Sequence, residues 1–517
     1  MRDGHRQTAS ADTTTASTAT RRRRTADSLE RGSMVGLLAE VLVLPTGLLT
    51  AAVLTRALGI EEYGFIGLVI AASMPIAWLV TGILGFRAGV RLIADAPDPV
   101  AAASGILRAN LVIGGVAAVI FALSAPMIAR VLGHPEVALA LVLASAEIVL
   151  LPVSRVHRDA LTATRRFSHA ALAGGVFHVA RLVGIVALVL SGLGVEAVIC
   201  ALSLARCAEI LWCRTRLPIP LTRSSGLSMV RLFGFAWPLF LNEFSNRVIN
   251  ASQMLMLGVL GAGTTALSHF SASQVVGHMP ALMIGVIVPG VVAEIAAGRS
   301  RQDPAAIAEA SGFAWRFVGV IAAGLLVVAG GAEALMSVLF GAAFAPGGAV
   351  LSFVLVGGVG ALCFGVTAGF LVAVDRPKGP LMISGPAMLL TLMLLPTAIE
   401  TLGVVGSAAV GCAARTAMGI ASLIVARRLG FDGVWILVRA LLAGVVGGLI
   451  ADQTGIFGPP VVEILVGGTV SLGLLFLFGV IDRRTRERLI TAVVGSRKLP
   501  GAAASAPLPT SGGASRD

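Results

Sequence analysis

Residues 109–130 read ANLVIGGVAAVIFALSAPMIAR, an apolar stretch whose only charged residue is Arg130 at its end. A helix of about 20 mostly apolar residues crosses the hydrocarbon core of a bilayer, so this stretch is long enough to span a membrane. The strands of a membrane barrel would instead alternate apolar and polar residues in segments of about ten. The stretch therefore predicts a membrane-spanning α-helix.

The composition of the whole chain indicates many such helices. Its 517 residues are 56% hydrophobic and 13% charged, and a mean hydropathy of +0.92 excludes an ordinary soluble protein. We predict an all-α polytopic membrane protein with about fourteen transmembrane helices. They cover residues 34–55, 64–84, 109–130, 136–154, 169–191, 194–212, 231–259, 264–293, 313–339, 348–374, 379–398, 402–426, 434–451 and 461–481.

A weak internal repeat predicts how these helices are grouped. The first predicted helix ends at Leu58-Gly59 and the seventh at Leu260-Gly261, and in both places another helix follows immediately. Transporters of this size are often built from two related bundles. We therefore predict two pseudo-repeated six-helix bundles followed by two C-terminal helices.

Both ends of the chain have the composition of disordered tails. The four arginines at 21–24 precede polar residues and not the apolar core of a signal peptide, so the N-terminal segment is predicted to be a cytoplasmic tail. The predicted organisation is a disordered cytoplasmic tail at 1–33, an N-terminal bundle at 34–213, a cytoplasmic linker at 214–230, a C-terminal bundle at 231–430, two additional helices at 431–482 and a basic, disordered cytoplasmic tail at 483–517.

The distribution of basic residues predicts the orientation. Lys and Arg together number 39 against 27 Asp and Glu, a net charge of +12, and cytoplasmic loops carry most of the Lys and Arg of membrane proteins. The predicted outside loops hold only Arg56 and Arg130, which places both termini in the cytoplasm. The excess charge therefore serves orientation and lipid contacts, and no nucleic-acid partner is expected. The nineteen basic residues on inside loops and adjoining helix ends are Arg87, Arg91, Arg108, Arg155, Arg158, Arg165, Arg166, Arg214, Arg216, Arg223, Arg231, Arg299, Arg301, Arg316, Arg376, Lys378, Arg427, Arg428 and Arg439.

The seventh predicted helix carries the densest set of polar residues. Asn242, Asn246, Asn250 and Gln253 follow a helical spacing and form one stripe. Such a stripe could hold helices together through interhelical hydrogen bonds, or it could line an aqueous cavity. We favour the cavity, because helix association needs only one or two amides.

Charged residues accompany this stripe. On the seventh helix, Glu243 precedes Arg247 by four residues, the favourable order for an ion pair. On the eighth, Gln274 and His278 share a face with Ser271. We predict Arg247, Gln274 and His278 as cavity residues together with the asparagines, and Glu243 as a candidate for ion coupling.

Other ionisable residues within predicted spans are isolated. Arg181 and Arg415 have no acidic partner on their own helices, so each needs an anion from elsewhere, which a phosphate group could supply. Both could instead pair with Glu40, Glu147 or Glu243. Glu40 has no basic neighbour on its own helix, which makes it a second candidate for a proton- or sodium-responsive group.

Motifs for catalysis are missing from the sequence. No Walker loop, His-Glu-x-x-His or Cys-x-x-Cys motif is present, and the five cysteines form no evident disulfide framework. The predicted outside loops are too short for a catalytic domain. We therefore expect a transporter, not an enzyme, with no cofactor and no metal, driven by an ion gradient or by the gradient of its substrate.

Three segments resemble one transporter family. Residues 54–65, LTRALGIEEYGF, resemble the first inter-helix turn of the polysaccharide-transporter branch of the MOP (multidrug, oligosaccharidyl-lipid and polysaccharide exporter) superfamily. Residues 233–239, FGFAWPL, are similar to the opening of that family's second bundle. Residues 333–344, EALMSVLFGAAF, are similar to the outer end of its ninth helix.

The resemblance implies a fold and an activity. It implies two six-helix bundles around a cavity that opens alternately to each side of the bacterial cytoplasmic (inner) membrane. It also implies transfer of a lipid-linked oligosaccharide, commonly on undecaprenyl pyrophosphate, for lipopolysaccharide, capsule or exopolysaccharide assembly, alongside polysaccharide polymerases and glycosyltransferases. Arg247, Arg181 and Arg415 fit the pyrophosphate-binding role by position.

Two alternatives stay open at this point. One is a cation-coupled multidrug exporter of the same superfamily, which should have an acidic and aromatic cavity, whereas this chain has 5% aromatic residues and a single tyrosine. The other is a non-transporting membrane scaffold that recruits glycan enzymes through its tails.

Overall fold

The computed structural model describes residues 45–82, 88–222, 229–376, 378–431, 433–454 and 460–481, and these residues form an all-helical fold. Eight of their helices have the length and hydropathy needed to cross a membrane. The helices are α1 (Pro45–Gly82), α2 (Ala88–Ala94), α3 (Pro99–Val131), α4 (Ala138–Ala163), α5 (Phe167–Leu190), α6 (Val195–Arg216), α7 (Met229–Val259), α8 (Thr264–Gly277), α9 (Met279–Ser300), α10 (Pro304–Gly330), α11 (Ala332–Phe340), α12 (Gly348–Ala373), α13 (Gly379–Arg428), α14 (Val434–Thr454) and α15 (Pro460–Leu477).

Two of the long helices are interrupted by a glycine. Gly59 in α1 has a φ of +81°, and Gly403 in α13 has a φ of +59° and a ψ of −138°. Glycine adopts this left-handed region without a steric penalty, so each residue marks a turn between two arms. Counting each arm as one crossing, and α8–α9 and α10–α11 as one crossing each, the described helices correspond to the fourteen predicted spans.

The turns repeat between the two halves of the chain. Gly59 and Gly261, the two glycines of the predicted repeat, have φ values of +81° and +72°. Two further pairs of glycines also have a positive φ, with one member of each pair in each half of the chain. These pairs are Gly133 with Gly341 and Gly192 with Gly403. This recurrence supports the predicted pseudo-repeat, while the domain limits at residues 213 and 430 stay predictions. Helix order places all six turns at one end of the molecule, which we call the Gly59 end.

The outward surface of the helices is apolar. On α3, Val112, Val116, Val119 and Leu123 lie on one face, and Leu123 is 78% exposed. Exposed apolar patches of this extent are rare on soluble monomers and mark surfaces that contact membrane or partner. The face is therefore the lipid-facing side that the sequence predicted for a membrane-spanning helix.

The two halves pack tightly together at the Gly59 end. A Cβ atom on Gly64, in the second arm of α1, would lie 2.7 Å from both Ser268 Oγ and Thr264 O of α8. Tyr63 meets Phe344 edge to face at 5.8 Å between ring centroids. Leu68 belongs to a buried cluster with residues of α7, α8 and α12. The halves are therefore closed against each other at this end.

The last two helices pack against α10. A Cβ atom on Gly444 of α14 would lie 2.6 Å from Ala323 Cα of α10, and one on Gly447 would lie 2.7 Å from Gly467 O of α15. Small residues allow membrane helices to approach closely. The glycines of α14 therefore hold α10 on one side and α15 on the other.

Several helices differ from the predicted bounds. α3 and α10 begin about ten residues before the predicted spans because Asp98 and Asp303 cap them, each accepting hydrogen bonds from two backbone N–H groups of the first turn. α4 continues nine residues past 154, so Arg155 and Arg158 lie on a helix and not in a loop. The predicted helix 264–293 is split at His278, just before Pro280.

Candidate functional site

A cavity of about 260 Å³ lies between the two halves. It is bounded by the second arm of α1, by α7 and by α8. Most of its wall is apolar, and the polar and charged side chains come from α7 and α8. The lining residues are Gly67, Ile70, Ala71, Met74, Pro75, Trp78, Arg247, Asn250, Ala251, Met254, Phe270, Ser271, Gln274, Val275 and His278.

Arg247 is the fixed cation of this cavity. Its Nη2 lies 2.7 Å from Glu243 Oε1, one turn earlier on α7, as the sequence spacing predicted. Its guanidinium also lies 3.8 Å from the centroid of the Trp78 ring, which belongs to the other half of the protein. Arg247 Nε is buried and has no hydrogen-bond partner among the described residues. The guanidinium is therefore held in place with part of its donor capacity unused.

A second arginine stands directly behind the cavity wall. Arg415 Nη2 donates a hydrogen bond to Asn250 Oδ1, and Asn250 lines the cavity. Asn250 Nδ2 donates to Asn246 O, 3.0 Å away on the same helix. Arg415 Nη1 is buried and finds no partner within the described ranges. Arg415 thus orients Asn250 and adds positive charge at this wall.

Two residues of α8 complete the polar surface. His278 Nδ1 lies 2.5 Å from Gln274 O, so Nδ1 carries the proton and donates to this carbonyl. His278 is exposed and lines the cavity, and it can accept a proton at Nε2. Gln274 also lines the cavity, and its Nε2 has no partner in the described part of the chain. The site therefore offers Arg247 and Gln274 as donors to an anionic group, and His278 as a third donor when its Nε2 is protonated.

The predicted polar stripe of α7 is divided between two environments. Asn250 lines the cavity, but Asn242 accepts a hydrogen bond at 3.0 Å from Ser384 of α13, and Asn246 Nδ2 bonds back to Asn242 O at 2.9 Å. Gln253 is fully buried against Gly411 of α13. The prediction that the whole stripe lines an aqueous cavity was wrong, because α13 packs along most of it. For Asn242 and Gln253 the alternative role, holding helices together, fits better.

The remaining predicted site residues lie elsewhere. Arg181 is on α5 and does not line the cavity. Glu40 lies outside the described residues. No group of three or more His, Cys, Asp or Glu side chains in the described part of the chain is arranged to hold a metal ion.

Trp78 is the site residue that the sequence analysis missed. It is one of five tryptophans, and it sits on the second arm of α1, far along the chain from Arg247. The contact crosses between the halves, so no spacing along one helix reveals it. Its only sequence signal is that a tryptophan stands within a predicted span, next to the aliphatic residues Leu79 and Val80.

Replacing Trp78 with alanine is expected to weaken binding of inorganic pyrophosphate about fivefold, because a cation–π contact of about 1 kcal/mol holds the guanidinium in the cavity. Trp78→Phe should retain most of the affinity. Isothermal titration calorimetry on the purified protein measures both. The control is Trp435→Ala on α14, whose side chain is exposed and remote from the cavity; an equal loss in that variant would contradict the role of Trp78.

Comparison with solved structures identifies the class of fold. The chain is similar to a multidrug-resistance MATE family transporter of the MOP superfamily in an inward-facing conformation, with 15% identity over 77% of this chain and 98% of that one and a TM-score of 0.65. It is similar to the lipid II flippase MurJ in an inward closed conformation, with 12% identity over 90% and 99% of the two chains and a TM-score of 0.68. A MOP superfamily transporter from Pyrococcus furiosus matches at 14% identity over 78% and 95%, with a TM-score of 0.55. The fold is therefore that of the MOP transporters.

The sequence defines the family within that class. Residues 53–347 match the family model described as polysaccharide biosynthesis protein, which covers more than half of the chain. The chain belongs to this family, and its apolar helices make it a multi-pass membrane protein. No curated protein shows significant sequence similarity to it.

Proposed function

We propose that this protein moves a lipid-linked oligosaccharide, carried on a polyprenyl pyrophosphate, across the bacterial cytoplasmic membrane by alternating access. The observation that carries the proposal is Arg247, a partly unsatisfied guanidinium in a mostly apolar cavity between the two halves. An arginine binds the oxygens of a phosphate through its planar fork of donors. An apolar wall is suited to the first units of a lipid chain.

The charge of the cavity favours an anionic over a cationic substrate. Among the described residues that line it, none is Asp or Glu, whereas Arg247 carries a positive charge. Glu243 lies beside the cavity and is already paired with Arg247. A cation exporter would need an accessible carboxylate or an aromatic cage, so the multidrug alternative is less well supported.

The Glu243–Arg247 pair gives substrate binding a defined first step. A pyrophosphate that enters the cavity competes with the Glu243 carboxylate for the same guanidinium. Because the two partners are each about one-third exposed, the pair is not sealed and can exchange. We propose that Arg247 changes partner when substrate binds, and that closure at the Gly59 end belongs to the cytoplasm-facing state.

Removing the competing carboxylate is the test of this step. Glu243→Gln is expected to bind an undecaprenyl pyrophosphate-linked sugar about tenfold more tightly than wild type, because Arg247 no longer has to leave an ion pair of comparable strength. Native mass spectrometry in detergent, with the lipid titrated, measures the bound fraction.

Two further variants make the result decisive. Glu400→Gln removes an exposed carboxylate on α13 and should leave binding unchanged. Arg247→Gln should lose the binding that Glu243→Gln gains. The proposed function fails if wild type and Arg247→Gln bind the pyrophosphate lipid equally, or if neither binds it better than the same lipid without its pyrophosphate.

A further inference from the structure

A second cluster of charged side chains lies inside the N-terminal half, on α4, α5 and α6. Arg206 of α6 is the centre: its Nη1 is 2.7 Å from Glu209 Oε2 and its Nε is 3.6 Å from Glu147 Oε2 of α4. Arg158 of α4 reaches the other oxygen of Glu209 at 3.5 Å. Glu147 and Glu209 are 2% and 0% exposed, and both pair with Arg206, although neither oxygen of Glu147 has a hydrogen bond among the described residues.

Arg181 of α5 belongs to this cluster but has no counter-charge among the described residues. Its guanidinium lies 5.8 Å from the centroid of the Phe177 ring, and Arg206 lies over the same ring at 3.8 Å. Arg181 Nε is buried without a hydrogen-bond partner among the described residues, and so is Nδ1 of the neighbouring His178. Within the described ranges, Arg181 forms no ion pair.

The orientation of α5 keeps Arg181 away from the lipid. Leu172, Val179 and Val183 form the exposed face of this helix. Phe177, Arg181 and Ile185 follow each other at intervals of four residues on the opposite face, and Phe177 and Ile185 are buried. Arg181 therefore projects into the bundle, where an uncompensated charge costs several kcal/mol.

The charges in the cluster do not balance. Among the described residues, three arginines, Arg158, Arg181 and Arg206, face two carboxylates, Glu147 and Glu209, which leaves one positive charge. The excess is located at Arg181, because the other two arginines contact the carboxylates directly. An anion bound beside Arg181 would supply the missing charge.

Arg158 and His178 lie between the protein surface and Arg181. The Arg158 guanidinium packs over Gly174, 3.7 Å from where a Cβ atom would stand, and its side chain is 38% exposed. Gly174, His178 and Arg181 lie on one face of α5 and span about 10 Å along the helix axis. The cationic groups thus run from the partly exposed Arg158 to Arg181, whose Nε is buried.

We propose that Arg181, with His178 beside it, binds a phosphate group inside the N-terminal half, at a site separate from the cavity at Arg247. A phosphate group is the favoured ligand because the Arg181 guanidinium has an unused donor. The partly exposed Arg158, which lies between Arg181 and the surface, would attract the same anion. The phosphate comes from the headgroup of an anionic lipid or from free phosphate or pyrophosphate. The proposal does not depend on the transport function, since it concerns different residues in a different part of the fold.

The test measures thermal stability in a background that lacks the cavity cation. Full-length protein carrying Arg247→Ala is melted in detergent with inorganic pyrophosphate, with phosphatidylglycerol, or with phosphatidylcholine, at constant ionic strength. A rise in Tm of at least about 2 °C is expected with the first or the second but not with phosphatidylcholine. Pyrophosphate alone indicates free phosphate as the source, and phosphatidylglycerol alone indicates a lipid headgroup.

The deciding variant is Arg181→Gln in the same background. It should abolish the rise in Tm and leave the ligand-free Tm equal or higher, because the uncompensated charge is gone. Arg206→Gln, which leaves two buried carboxylates without their main partner, should instead lower the ligand-free Tm. The proposal is overturned if the rise survives Arg181→Gln, or if Arg181→Gln and Glu40→Gln lower the ligand-free Tm equally, which would show that these two residues pair.

Discussion

Arg247→Ala is expected to reduce transport of a polyprenyl pyrophosphate-linked glycan by at least about tenfold. Among the described residues, Arg247 supplies the one guanidinium that lines the cavity, and a charge-assisted contact to phosphate contributes about 1.5–3 kcal/mol. Arg247→Lys should give an intermediate rate, because an ammonium keeps the charge but loses the bidentate geometry and the stacking on Trp78. The rate is measured in vesicles that contain equal amounts of purified protein.

Arg130→Ala is the control for this prediction. Arg130 is an exposed arginine in the last turn of α3, at the Gly59 end and outside the cavity. Its removal changes the net charge equally and should leave the rate within about twofold of wild type, as surface substitutions usually do. A wild-type rate in Arg247→Ala, with normal protein yield, would show that transport does not require Arg247.

Gly64→Leu is expected to abolish most transport by preventing closure at the Gly59 end. Any Cβ atom at Gly64 would stand 2.7 Å from Thr264 O, a backbone atom that cannot rotate away. Overpacking of this kind costs about 1–3 kcal/mol, which shifts a two-state equilibrium about 5- to 150-fold toward the state in which the second arm of α1 and α8 are apart. Transport requires both states, so the rate should fall by a similar factor.

Gly115→Leu is the control that distinguishes loss of closure from general damage caused by a glycine-to-leucine change in a membrane helix. Gly115 lies within α3, and a Cβ atom there would meet nothing within 4 Å. This variant should transport normally and melt like wild type. Wild-type transport by Gly64→Leu, with normal protein yield, would exclude closure at this contact as a step of transport.

Much of the fold follows from the sequence because two independent signals agree. The apolar stretches give the number of spans, and the alternation of basic residues checks their count. The Leu-Gly steps at Gly59 and Gly261 predict turns, and both glycines have a positive φ. The ends of α3 and α10 were misplaced because hydropathy detects only the lipid-facing part of a helix. The sequences Asp98-Pro99 and Asp303-Pro304 are the capping signals that would have corrected them.

The site follows from the sequence only where its contacts are local. The Glu243–Arg247 pair and the shared face of Gln274 and His278 are set by helical spacing, and the structure brings all but Glu243 to the cavity wall. Contacts between distant helices carry no such signal. The stacking of Arg247 on Trp78 and the burial of Gln253 against α13 depend on which helices are neighbours. The packing of the whole bundle decides which helices these are.

The most direct measurement of the central claim is lipid transfer by the purified protein in vesicles. A fluorescent undecaprenyl pyrophosphate-linked oligosaccharide is placed in both leaflets, and a membrane-impermeant reductant then quenches the accessible leaflet. We predict that wild-type protein makes the protected half of the probe accessible, that Arg247→Ala does so at least about tenfold more slowly, and that the same lipid without pyrophosphate is not transferred. Transfer no faster than in protein-free vesicles, with the protein shown to be folded, would contradict the account, as would equal transfer of both lipids.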